Sequence, residues 1–130
     1  HDRVHRFLGE RDKKEPAYLC RATEQSWLRL LTTPMLHQRY DPPVISNRAA
    51  VRLVQAYLRR PAIRIRNAEP KGTRDLWLKL AAKDRPSPKT WMDAYLAAFA
   101  IRGNLTFATL DSGFRSYASR GLEIHLLSTS

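Results

Sequence analysis

The chain has 130 residues, of which 43% are hydrophobic and 27% charged, enough for one domain with a proper core and too apolar for disorder throughout. No apolar run approaches a membrane span and no signal-peptide pattern opens the chain, so a membrane protein is not expected. Lys and Arg number 23 against 12 Asp and Glu, a formal net charge of +11, and such an excess favours contact with nucleic acid over a merely solvated basic surface. Cys20 is the single cysteine; without a partner for a disulfide it points to a reducing, intracellular compartment. Within "AYLC" it reads as a small buried residue rather than a nucleophile. His1 and His5 stand at helical i, i+4 spacing, but no acid or thiol follows at zinc-site spacing, so both are assigned to the surface. The first residue is His1 rather than Met, and we expect the natural start to lie upstream.

In chain order, "HDRVHRFLGERDKKE" places Val4, Phe7 and Leu8 on one helical stripe, with Pro16 as the stop. "AYLCR" is a short apolar strand. Thr23 is a candidate cap for the helix "EQSWLRLLTT", with Trp27, Leu28, Leu30 and Leu31 turned inward. "PMLHQRYDPPVIS" is a proline-punctuated loop. Ser46 or Asn47 opens the helix "RAAVRLVQAYLRR", with Val51, Val54 and Leu58 on its buried face and Pro61 beyond its end. "AIRIR" alternates as a half-exposed edge strand does.

"RDLWLKLAAKD" is a short helix after the turn "AEPKGT". Ser87 and Pro88 form an N-cap and N1 pair for the next helix, which contains "WMDAYLAAFA" and ends at Gly103. "LTFATL" is a buried strand, "SGFRSYASR" a short helix or turn, and "LEIHLL" a last alternating strand. Strands and helices alternate at nearly every step, which predicts one α/β domain over residues 1–130 with a mainly parallel sheet.

In such sheets ligands gather beyond the carboxyl ends of strands. Glu24 follows "AYLCR" and Asp111 follows "LTFAT", while Asp93 lies in the helix before the latter strand. The helix dipole alone accounts for a Glu24 in a first turn, and Asp111 could simply cap "SGF". Asp93 is harder to dismiss, because it is the only charge between Trp91 and Ile101 and burying a lone carboxylate costs several kcal/mol. A divalent ion held by these acids would resolve that cost and suit phosphodiester hydrolysis. Thr109 could add a hydrogen bond at the site, or be an ordinary strand residue; Asn104 reads as an ordinary turn residue.

Three segments, "CRATEQSWLRLLTTP", "WMDAYLAAFA" and "TFATLDSGF", resemble the second, third and fourth acidic motifs of PIN-domain ribonucleases of the VapC toxin type. The likeness runs through nearly the whole chain. It implies a PIN-like three-layer α/β/α sandwich and an endoribonuclease dependent on Mg²⁺ or Mn²⁺. It implies Glu24, Asp93 and Asp111 as metal-holding catalytic acids, with the Thr109 hydroxyl beside them. It further implies the toxin of a bacterial, cytoplasmic type II toxin–antitoxin system, with RNA as substrate, a cognate antitoxin as partner, and a homodimer or toxin–antitoxin hetero-oligomer as the assembly. The family opens on a central strand carrying a first Asp. "HDRVHRFL" resembles the helix after that strand, so the domain is expected to be incomplete at its N-terminus. Two other readings are a non-catalytic basic nucleic-acid-binding module, whose binding chelators would leave untouched, and a PIN nuclease outside toxin–antitoxin systems.

Overall fold

A computed structural model describes residues 2–34 and 44–127, apart from the side chains of Asp2 and His5. The surface assignment of His1 and His5, and most of the proline-rich loop, therefore lie outside the described residues. The elements are α1 (Asp2–Gly9), β1 (Ala17–Leu19), α2 (Arg21–Thr32), α3 (Asn47–Leu58), β2 (Ile63–Ile65), α4 (Thr73–Ala81), α5 (Pro88–Arg102), β3 (Thr106–Thr109), a 3-10 helix (Ser112–Arg120) and β4 (Glu123–Leu126). They form two compact units, residues 1–67 and 68–130.

In the first unit β1 and β2 pair in parallel, Ala17 opposite Ile63 and Leu19 opposite Ile65. The Ala17 and Arg66 amides extend the ladder to Ala62 O and Leu19 O. Leu8 from α1 packs with Tyr57 and Ile63, with Val4 and Phe7 alongside, as the stripe predicted. The helix stops at Gly9 rather than at Pro16. The Asp12 carboxylate accepts the amides of Lys14 and Glu15 at 2.9 and 2.8 Å, a local turn that competes with helical bonding.

Cys20, buried as expected, takes the N-cap position of α2. Thr23 therefore lies inside the helix instead of capping it, and its hydroxyl donates to Cys20 O at 2.9 Å. Leu31 is buried with Trp27 and Leu28 packed beside it, but Leu30 is 41% exposed. Neighbours on a helix point about 100° apart, so Leu30 and Leu31 cannot share a narrow buried face. Ser46 caps α3, its hydroxyl accepting the Ala49 amide at 3.1 Å. The buried face of α3 is Ala50, Val54 and Tyr57. Val51, expected inside, is 45% exposed, because the i, i+4, i+7 stripe runs through its neighbour Ala50. In β2 the expected alternation holds only in part: Ile63 is buried and Arg64 exposed, but Ile65 is exposed too.

In the second unit α4 and α5 pack through Ala94, Ala97 and Ala98, all fully buried; side chains this small let the helix axes approach closely. Leu76, Leu80, Phe114 and Leu122 complete that core. Pro88 opens α5 behind Ser87 as expected, although the Ser87 hydroxyl meets that of Thr90 instead of a backbone amide. Gly103 ends it, but the left-handed residue is Asn104, with φ of 54°. Space is tight at Gly103: a Cβ there would lie 3.0 Å from Phe99 O and 3.1 Å from the Leu105 and Pro70 side chains. β3 and β4 pair in parallel, Thr106 opposite Glu123 and Thr109 opposite Leu126. β3, expected to be buried, is only half-buried, with Thr106 exposed. Alternating helices and parallel strand pairs match the expected α/β class. Among the described residues no helix is long and apolar enough to cross a membrane.

Candidate active site

The chain leaves β3 at Thr109 and turns at once into the 3-10 helix. Two local hydrogen bonds shape that turn: the Asp111 amide donates to Thr109 Oγ1 at 3.0 Å, and the Gly113 amide donates to Asp111 Oδ1 at 2.8 Å. A Cβ on residue 113 would sit 3.0 Å from Asp111 Oδ1, so glycine lets the amide close on the carboxylate. The capping role open to Asp111 from its sequence position is thus real. It engages one oxygen only. The other, Oδ2, looks toward Lys89 Nζ at 3.8 Å, with the Asp111 side chain 47% exposed.

Asp93 stands one helical turn after Lys89 on α5, the i, i+4 spacing that places both on one face. It is half-buried. Burial raises its pKa above the ordinary carboxylate value; the Lys89 ammonium works against that shift and the Asp111 charge adds to it. Tyr117, on the 3-10 helix, is also pushed up, first by burial and then by the negative charge of Asp93. Asp93 is thus within electrostatic reach of Lys89, Asp111 and Tyr117.

Glu24 belongs to the first unit, in the first turn of α2 just after β1. Its side chain is 15% exposed and its Oε1 accepts from Arg21 Nη1 at 2.9 Å. In neither unit do three His, Cys, Asp or Glu side chains gather among the described residues. Of the residues singled out from sequence, Asp93, Asp111 and Thr109 belong to the second unit, where the Asp111 amide bonds Thr109 and the Asp111 charge reaches Asp93. Asn104 is the turn residue expected. Lys89 and Tyr117 escaped notice as site residues. The four-residue interval from Lys89 to Asp93 was a readable signal, whereas nothing local announces Tyr117.

The carboxylates supply hard oxygen donors whose mutual repulsion a cation relieves. Lys89 partly fills that role. Mg²⁺ and Mn²⁺ are commonly held by one or two carboxylates while keeping several waters, so carboxylates such as Asp93 and the half-exposed Asp111 are donors of the type such an ion takes.

A parallel-strand α/β chain with acids just beyond its strand ends has the features of one nuclease class, and sequence comparison agrees. The profile of the PIN domain matches residues 1–119, a span reaching into both units, and the chain belongs to the PIN-domain family. Within it the likeness is to the VapC ribonuclease toxins: the chain is 43% identical over 110 residues to Ribonuclease VapC41 of two Mycobacterium tuberculosis strains, a match covering 85% of this chain and 74% of the relative.

Proposed function

We propose that this protein is a metal-dependent endoribonuclease, the toxin of a bacterial type II toxin–antitoxin system, acting on RNA in the cytoplasm. A cognate antitoxin would hold it in check, in an assembly built on toxin homodimers or toxin–antitoxin hetero-oligomers. The observation that carries the enzymatic reading is a half-buried carboxylate, Asp93, whose pKa is raised first by burial and further by the charge of Asp111, the acid just beyond β3, where α/β folds place their ligands.

In this reading Asp93 and Asp111 hold Mg²⁺ or Mn²⁺, and Glu24 is a further acid of the nuclease, assigned by the family resemblance. The bound ion would neutralise phosphate charge and supply an activated water at neutral pH. The Gly113 amide holds one oxygen of the Asp111 carboxylate, and the Thr109 hydroxyl fixes the backbone beside it by accepting the Asp111 amide. The Lys89 ammonium, on a side chain 79% exposed, would be available to a phosphate oxygen if a metal ion replaced it at Asp111.

Asp93→Asn keeps the shape of the side chain and removes its charge. Cleavage of single-stranded RNA by the complete protein should fall by more than the roughly 10- to 100-fold typical of losing an outer-shell partner, with the circular-dichroism spectrum unchanged. EDTA should stop the wild type equally. Wild-type cleavage rates in the variant, or RNA binding with no chelator-sensitive cleavage at all, would refute the assignment.

A further inference from the structure

Trp91 and Met92, consecutive on α5, are 54% and 47% exposed. Large exposed apolar side chains side by side mark contact sites more often than isolated ones do. The Trp91 indole is not loose. Its backbone carbonyl accepts the Trp77 indole N–H at 2.9 Å, and the two rings meet edge-on at 6.4 Å. Trp77 is in turn held by the Tyr95 ring at 5.8 Å, and the Tyr95 hydroxyl donates to Glu69 at 2.6 Å. The outermost ring of this stack is thus supported from within α4 and α5 while half its surface faces solvent.

The segment leading into α5 carries exposed Lys83 and Arg85 against a single acid, Asp84, and the first turn of α5 adds exposed Lys89, which faces Asp111. A protein-binding patch is depleted of charge at its core, and Lys in particular is scarce there. A supported aromatic ring preceded along the chain by three exposed cations instead suits a polyanion with flat apolar faces. Unpaired bases offer such faces; a duplex hides them. We propose that Trp91 is a stacking platform for an unpaired RNA base, with Arg85 and Lys89 holding the adjoining phosphates. This rests on the ribonuclease reading and extends it to a substrate-binding residue. Trp91 is two residues from both Lys89 and Asp93, which turns it onto a different face of the helix from that pair, so the phosphate held by Lys89 lies on the Asp93 side of the stacked base. The stacked base therefore belongs to a nucleotide flanking the cleaved bond, not to the reacting one.

The test measures binding of a fluorescein-labelled single-stranded RNA, and of the same RNA in a duplex, to the complete protein carrying Asp93→Asn. Adding Trp91→Ala should weaken single-strand binding roughly 5- to 150-fold, the effect of losing one base–aromatic stack, and leave duplex binding unchanged. Trp91→Phe should lose less than Trp91→Ala. If the alanine variant does not fold, the phenylalanine variant carries the test, and equality with the parent overturns the proposal. Unchanged single-strand binding by Trp91→Ala overturns it as well, as does loss of self-association without loss of RNA affinity, which would make the patch a protein interface. Mn²⁺-dependent cleavage by the wild type is assayed in parallel. Its absence sinks the nuclease reading, whereas its presence with unaltered Trp91→Ala binding sinks the stacking site alone.

Discussion

Asp93 shows why an apolar helix keeps a carboxylate. Ala94 and Ala97 beside it are fully buried, yet Asp93 itself stays half-buried at the helix edge, in range of Lys89 and Asp111. Its pKa is raised by burial first, so the folded state binds the proton more tightly than the unfolded chain does. Stability then falls as pH rises from the ordinary carboxylate value through the raised one. Metal-free Asp93→Asn protein should consequently be more stable than wild type at neutral pH, by the roughly 0.5–2 kcal/mol typical of relieving a functional site. The advantage should vanish at pH values below the ordinary carboxylate range. Urea melts in EDTA at pH 3 and pH 7 check this; an equal difference at both pH values would show that the charge is not the cause. The i, i+4 interval joining Lys89 to Asp93 is written in the sequence. The approach of Asp111 and Tyr117 is not, because it depends on how β3 and the 3-10 helix pack on α5.

At the scale of the elements, each helix end was set by local chemistry that composition only partly reveals. Two glycines separate the cases. Gly9 closes α1 with nothing within 4 Å of where a Cβ would stand, whereas Gly103 is crowded by Phe99 O, Leu105 and Pro70. Gly9→Ala should stabilise the protein by about 0.4–1 kcal/mol through the entropy of the unfolded chain. Gly103→Ala should destabilise it by about 1–3 kcal/mol, as overpacking does. Thermal melts of the two variants should move in opposite directions. Periodicity found the right type for these elements and missed details of facing. Leu30 and Val51 look as apolar as Leu31 and Val54, yet each lies outside the face its helix buries. A stripe of 3.6-residue period can be rotated by one position without changing its count of apolar residues. Only the neighbouring element selects the rotation.

For the whole molecule, the net charge of +11 predicts RNA affinity that falls linearly with salt on logarithmic axes. The slope should flatten by about 0.7 for each phosphate contact removed, so Arg85→Gln and Lys89→Gln should each lower it by about that amount in a titration of the Asp93→Asn protein. Unaltered slopes would place the phosphate contacts elsewhere. The alternation of strand and helix and the basic balance could be read along the chain, since each depends on near neighbours or on simple counting; the family was legible through the resemblance of three segments. The ion pair of Lys89 with Asp111 and the ring stack beneath Trp91 join residues such as 69, 77 and 95 or 89 and 111. Those contacts come from packing between separate elements, which no local pattern encodes, and so they became visible only once the chain was folded.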